Sequence, residues 1–393
     1  MTPAIAANPL DQPVAVPRRR SQLTLDVRRD LASSPDEAAA LDALIAARPQ
    51  VGAFLTSAWL SGFFADPPQG FELCTVVLLE QGALRGVVPV AHRKTPTHVR
   101  VGLVGGGAGS DRVDLLAARG YEVIFSDMFL EWLEKTFGRE GFVLELRDVP
   151  GDSSIWGAIR RADMDHRLPL TLVPREVHVL PYLNLDERYP AGDARSPLAS
   201  QSSAHHRRLL ERRGALNIDV LQDRDRVQAG FDELVRLLRA RWGNGSVLDQ
   251  PYMNRFHRHV LPLLSREGRL RLIRLTAGPR PIAVFYGLAA GSWWGYYLAG
   301  YDRQWAGRIH LGQLTLSTAI ELAAQDGAAE FDFLKGAERI KYHWLVRERV
   351  TVDADVYSRK AGAQLTRVTR AAREAAGALA KTARGLFTSR ART

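Results

Sequence analysis

LRLIRLTAGPRPIAVFYGLAAGSWWGYYLAGYDRQWAGRIHLGQLTLSTAIELAAQDGAAEFDFL, from Leu270 to Leu334, is the stretch that decides the fold. Three apolar runs, Leu270 to Thr276, Ile282 to Ala289 and Trp293 to Ala299, are joined by turns at Gly278-Pro279 and Gly291-Ser292. Connections this short make an antiparallel meander. A loop, Tyr301 to Leu311, a helix, Gly312 to Gln325, and a strand, Glu330 to Leu334, follow. The last strand is expected to lie parallel within the sheet, reached by a right-handed crossover. A helix N-terminus presents unpaired N–H groups and positive dipole, so this order makes a cradle for a pyrophosphate. In the loop, Gly307 and Gly312 permit close backbone approach and Arg303 and Arg308 match phosphate oxygens, with Gln304 and His310 beside them. A surface loop with ordinary helix-start chemistry answers to the same spacing.

Upstream lie a basic helix, Ser203 to Arg213, an amphipathic helix, Arg226 to Trp242, and a third, Gln250 to Ser265, with proline in its first turn. The turn formers of Pro190 to Pro197 precede them and read as a domain boundary. The first half also mixes element types. Leu23 to Val27 reads as a strand, Asp36 to Ala47 as a helix opened by Ser33-Ser34-Pro35, and Phe54 to Phe64 as an aromatic helix. Glu72 to Leu79 and Leu84 to Ala91, parted by Gln81-Gly82, read as a hairpin. Ser126 to Phe137 reads as a helix, and Val143 to Leu146 and Val177 to Leu185 as strands. The glycine-dense Gly102 to Gly109 lacks the Gly-Lys-Ser/Thr ending of a phosphate loop, so tight turning or close backbone approach is the preferred reading.

A chain of 393 residues with 46 % hydrophobic content is expected to form two globular domains. The divisions are a tail over 1–22, a domain over 23–190, a second over 196–360 and a basic tail over 361–393. Cys74 is the single cysteine, which removes internal disulfides and cysteine-based metal sites and favours a reducing, cytoplasmic compartment. No apolar run reaches signal-peptide or membrane-spanning length. The net charge of +10 would suit nucleic acid, but much of it lies from Arg359 onward, where nine cations face the lone acid Glu374. There Leu365, Val368, Ala372, Ala375, Leu379, Ala383 and Leu386 stand at near-helical spacing, which fits peripheral contact with an anionic membrane or a disordered tail.

Phe331-Asp332-Phe333-Leu334-Lys335-Gly336, then Glu338 and Lys341-Tyr342-His343-Trp344, resembles the closing motif of the CelD-type acetyltransferases of bacterial cellulose and polysaccharide synthesis. Phe54 to Leu60, Leu84 to Val90, Ser203 to Leu210 and Pro281 to Ala299 are similar to other parts of that family. The resemblance extends over about Leu23 to Arg359. It implies the GNAT superfamily, kinship with FemAB-type transferases, and acetyl-CoA or another acyl-CoA held by the second half. The mixed strand and helix signals of the first half add the expectation of a second, degenerate GNAT-like domain, giving an α/β (α+β) fold of two GNAT-like mixed-sheet domains, and the cysteine and histidine pattern leads to the expectation of no metal. The pyrophosphate signature departs from the family at Ile309, where a small residue is usual, and at Leu311, where relatives often carry proline.

In such transfer the acceptor loses a proton, attacks the thioester, and the departing thiolate is stabilised. Asp332 faces away from Phe331 and Phe333 and is a candidate base, the alternative being a buried ion pair with Lys335, Arg339 or Lys341. Tyr342 and Tyr301 are candidate acids. Lys335, Lys341, Trp344, Arg207 and Arg208 are candidate acceptor contacts, with solvated or packed side chains as the alternative for each. The leading expectation is acyl-CoA-dependent transfer to a saccharide or amino-sugar precursor. Aminoacyl transfer from tRNA and a catalytically inactive scaffold are the competing ones.

Overall fold

The computed structural model describes residues 20–29, 34–164, 168, 170–188, 201–212, 216–305, 309–344 and 346–390. The Pro190 to Pro197 boundary, Gly307 and Arg308 fall outside them. The first half runs β1 (Leu23–Arg28), α1 (Pro35–Ala47), α2 (Pro49–Gly52), α3 (Ser57–Ala65), β2 (Glu72–Glu80), β3 (Ala83–Lys94), β4 (Val99–Leu103), β5 (Leu116–Ala117), α4 (Glu122–Phe137), β6 (Phe142–Pro150), α5 (Ser154–Met164) and β7 (Leu170–Asn184). The second runs α6 (Leu185–Arg188), α7 (Gln201–Glu211), β8 (Leu216–Leu221), α8 (Arg224–Trp242), α9 (Pro251–Arg266), β9 (Leu270–Ala277), β10 (Arg280–Ala290), β11 (Trp293–Tyr301), α10 (Leu311–Gln325), β12 (Glu330–Asp332), β13 (Arg347–Ser358) and α11 (Ala361–Arg390). Helix starts follow side-chain chemistry. Ser34 accepts the Glu37 N–H ahead of α1, and Thr56 accepts the Trp59 N–H at 3.2 Å. The Thr56 cap is why the aromatic helix begins at Ser57 and not at Phe54.

The two halves repeat one plan: an edge strand, helices, a three-stranded meander, a helix, and a strand parallel to the last of the meander. Thus β4 pairs in parallel with β6, and β11 with β12, while β1 to β4 and β8 to β11 are antiparallel. All strands join one sheet in the order β1-β2-β3-β4-β6-β13-β7-β12-β11-β10-β9-β8, with β5 pairing β3 at the side. The mixed sheet expected in the first half is therefore present. What the sequence did not disclose is the exchange at the centre. Strand β13, last in the chain, lies between β6 and β7 of the first half, and β7 in turn pairs with β12 of the second.

Period-two alternation sends successive side chains to opposite faces. Val77 and Val87 meet Trp59, Phe256, Leu272 and Tyr286 in a core common to both halves, over which α1, α3, α8 and α9 pack. Val76, Leu78, Val88 and Val90 enter a second core with α4 and α5. Phe285, Phe331 and Phe333 enter a third with α10. The glycine-dense loop serves close approach. Gly105 has φ +87 and a Cβ there would stand 2.3 Å from Ser110 Oγ, the atom that accepts the Trp59 indole N–H at 2.8 Å. No single helix among the described residues is long and apolar enough to cross a membrane; the bent pair Pro35–Ala47 and Pro49–Ala65 has the length, but Trp59, Leu60 and Phe63 on it are buried in the common core.

Because β13 is the strand that joins β6 to β7, truncation after Val346 should abolish cooperative thermal unfolding followed by circular dichroism. Truncation after residue 376, which spares the Arg370 and Glu374 ion pairs to the sheet, should retain it.

Candidate active site

Strand β11 pairs with β12 only from Trp293 to Gly295, yet continues to Tyr301. Beyond Gly295 the two chain segments separate, and the opening is walled by the second half of β11 and by residues 333–343. On the α10 side it leads to a cavity of about 370 Å³ lined by Tyr301, Asp302, Ile309, His310, Gly312, Gln313, Arg339 and His343 among others. The first N–H groups of a helix have no intrahelical acceptor, and the first turn of α10 lies in this wall. No acidic residue occupies that turn, and its cap, His310, makes no side-chain capping bond. Arg339, His310 and His343 add cationic or ionisable groups, while Asp302 is already neutralised by Arg280 at 2.6 Å. Gly312 fits closely: a Cβ would stand 3.1 Å from Ile340 and 3.3 Å from Tyr301, so the glycine lets the strand end and the 339–343 turn meet at the cavity floor. Helix dipole, N–H groups and the Arg339 guanidinium together suit a pyrophosphate.

On the opposite face of the sheet, the first half supplies the wall. Tyr297, on the unpaired part of β11, donates its hydroxyl to the Gly109 carbonyl at 2.8 Å. His257 lies behind it, fully buried, its Nδ1 3.2 Å from the Tyr286 hydroxyl and its Nε2 3.4 Å from that of Tyr297. Burial pushes His257 down to about 3, so it is neutral. Asp111 follows two residues after Gly109 and accepts the Lys335 backbone N–H at 3.2 Å, just past the end of β12. Burial, with the neighbouring Asp148 carboxylate adding to it, raises Asp111 to about 6. Asp111 was not among the sequence candidates. Its only signal was a carboxylate at the exit of a glycine-dense loop.

The sequence candidates divide. Tyr301, His310 and Gly312 line the cavity. Arg303 is exposed, and the Gln304 side chain accepts from Arg280 at 2.9 Å. Ile309, the departure from the family signature, is buried in the α10 core and so packs as well as lining the cavity. Asp332 does face away from Phe331 and Phe333, but it is fully buried and does not open on an acceptor. Its carboxylate lies 3.4 Å from each of Arg112, Arg349 and the Trp293 indole, and accepts the Leu334 N–H at 2.8 Å. The ion-pair alternative thus describes Asp332, with different partners from those expected. Tyr342 gives its hydroxyl to Glu348 at 2.5 Å, which raises its ionisation above the ordinary value and commits the proton there. Lys341 is buried and spends its ammonium on the Lys335 and Gly336 carbonyls and on Glu338, at 2.8, 3.0 and 2.7 Å, stapling the turn after β12. Lys335 pairs with Asp148 at 2.8 Å, Arg207 with Glu321 at 2.9 Å, and Trp344 stacks on Phe333 in the core; Arg208 is exposed.

Comparison with known proteins agrees with this architecture. Residues 200–342 match the family model described as an acetyltransferase (GNAT) domain. No curated protein matches the chain. Among solved structures, FemX superposes with a TM-score of 0.55 at 12 % identity, covering 82 % of this chain and 96 % of its own. A conserved protein of unknown function from Bacteroides thetaiotaomicron gives 0.49 at 11 %, covering 82 % and 97 %, and a tandem GNAT protein of clavulanic acid biosynthesis gives 0.44 at 13 %, covering 84 % and 98 %. The fold is thus shared with FemX, and residues 200–342 carry the match to an acetyltransferase (GNAT) domain.

Proposed function

We propose that the protein transfers an acyl group from acetyl-CoA or a similar acyl-CoA to an amine or hydroxyl of a saccharide or amino-sugar precursor. The observation that carries the reading is the cavity at the acid-free N-terminus of α10, opening onto the gap between β11 and β12. The pyrophosphate is assigned to the α10 first turn with Arg339 and His343, which directs the thioester into the gap. A saccharide acceptor is supported by the resemblance of Phe331 to Trp344 to the CelD-type motif. The acceptor enters from the Asp111 side. Asp111 takes a proton from the attacking nitrogen or oxygen, whose lone pair forms the new bond to the thioester carbonyl carbon. The C–S bond breaks, and Tyr301, in the cavity wall, donates to the leaving thiolate. A carboxyl raised to about 6 is ionised at neutral pH yet basic enough to receive a proton.

We place this reaction in the cytoplasm, at the inner face of the membrane. Leu365 and Val368, each 57 % exposed, stand on the same side of α11 as successive turns bring them together, among Arg367 and Arg373. An amphipathic basic helix of this kind suits an anionic lipid surface.

Calorimetry should find acetyl-CoA binding that Arg339→Ala weakens about tenfold, the loss of one charge-assisted contact; absence of binding by any acyl-CoA would remove the reading, and salt-released nucleic acid would turn it toward tRNA.

Asp111→Asn should lower kcat by about 10² to 10⁴ and abolish the fall in rate below about pH 6 that protonation of the base produces in the parent. Asp332→Asn should leave that pH limb in place and lower the melting temperature, because it strips a buried carboxylate from two arginines.

In a sedimentation assay, vesicles containing phosphatidylglycerol should bring down the full chain and not the chain truncated after Lys360, with added salt reducing the difference. Equal binding by both would reject the membrane contact.

A further inference from the structure

Three side chains that the proposed transfer does not use meet where β6, β13 and β7 run side by side. Asp148 lies on β6, Asp353 on β13 and His178 on β7, with one ligand atom of each within 4.8 Å of the others. His178 Nε2 stands 3.4 Å from Asp353 Oδ1 and 3.9 Å from Asp148 Oδ1. The imidazole is only 10 % exposed, and Nε2 is shut off from solvent without a hydrogen bond of acceptable geometry. A buried polar atom left in that state is costly unless a ligand completes it. On the other side of the ring the Glu176 carboxylate is 3.6 Å from Nδ1. That carboxylate is beyond hydrogen-bond distance but stands on the side of the ring where a metal-bound histidine has its outer-shell acceptor, while Nε2 faces the two aspartates.

We propose that Asp148, His178 and Asp353 bind one divalent first-row transition-metal ion, with zinc as the reference. Four ligands about 2.1 Å from zinc are separated by about 3.4 Å along each edge of the tetrahedron, close to the 3.4 and 3.9 Å found here. Two carboxylates and one imidazole are a borderline donor set that zinc, cobalt and manganese accept, and three protein ligands leave a fourth position for water. The backbone is shaped to the cluster. Asp353 stands alone opposite two residues of β6, Arg147 and Asp148, and next to the bulge at Arg175 of β7, and Asp148 has φ +55, so the flanking strands depart from regular geometry where the carboxylates converge. The Asp148 N–H also donates to Asp353 Oδ1 at 2.8 Å, which orients that carboxylate.

One cation competes. Lys335 places its ammonium 2.8 Å from Asp148 Oδ1, the same oxygen that faces His178. Its side chain is 37 % exposed, and metal binding requires it to give up that oxygen.

The test uses full-length protein dialysed against chelator and titrated with zinc in competition with a chromophoric chelator. One equivalent should bind, with affinity lowered about tenfold or more in His178→Ala and Asp353→Asn and unchanged in His259→Ala, an exposed histidine elsewhere. Lys335→Met should tighten binding severalfold, a gain that damaged folding does not produce. Cobalt should give visible ligand-field bands that His178→Ala removes. The proposal is overturned if the parent takes up no stoichiometric zinc, as an imidazolium paired with the two carboxylates would ensure. Retention of zinc by both ligand variants, or no gain in Lys335→Met, also overturns it. The readout is metal binding and not turnover, so its failure is separate from failure of the acyl-transfer reading.

Discussion

The placement of β13 between β6 and β7 is the constraint on which the remainder of the structure depends. Without it, β6 and β7 would each present an unpaired edge, and the two repeats would be separate sheets. Its position is fixed from both flanks: registered hydrogen bonding to β6 and β7, and a buried carboxylate that gathers distant arginines. Asp355 receives Arg147 at 2.6 Å, Arg175 at 2.8 Å and Arg370 at 2.9 Å, drawn respectively from β6, β7 and α11. Burial alone would raise this carboxyl, but the Arg147 hydrogen bond and the other guanidinium groups hold it below its ordinary value. A charge so compensated costs little to keep and much to disturb, because removing any partner strands the rest in a poorly solvating interior.

Asp332 repeats the device beside the gap between β11 and β12. It ties the end of β12 to Arg112 from the glycine-dense loop of the first half and to Arg349 from β13. Since β12 is only three residues long, ladder hydrogen bonds do little to aim the segment beyond Asp332. The two arginines and the Lys341 staple do so instead, fixing the turn that follows β12. The gap between β11 and β12 is thus bordered by groups contributed by both halves of the chain.

Much of this was legible. The meander, the crossover helix and the parallel return strand followed from apolar period and turn length, and the structure places all of them within a few residues. Strand β13 was not read. Arg347 to Ser358 alternates charged and apolar residues, and several of its inward positions, Thr351 and Asp355 among them, are polar side chains buried by partners far along the chain. Hydrophobic patterning has no means of registering such a position. The same limit governs the site. That Asp332 faces opposite to Phe331 and Phe333 is a local fact available from alternation. That it meets Arg112, 220 residues upstream, is not. Asp111 escaped for the converse reason, since its environment comes from Lys335 and Asp148 and nothing adjacent marks it.

Two repeats of one plan raise the question of why only the second is assigned the acyl donor, and the helix N-termini supply an answer. Helix α4 occupies in the first repeat the place of α10 in the second, each leading to a strand parallel to the end of its meander. The α4 first turn carries Glu122, whose carboxylate accepts the Gly120 N–H at 2.7 Å. An anion is therefore already built into that terminus, satisfying a donor and opposing the approach of phosphate. The loop beyond β4 completes the closure: Gly106 packs so near β6 that a Cβ would stand 3.1 Å from the Arg147 carbonyl. At α10 the acid is absent, β11 parts from β12, and Arg339 stands beside the helix start. The repeats have diverged in charge at one helix terminus and in spacing at one strand pair, and the proposed donor assignment to the second repeat rests on those two differences.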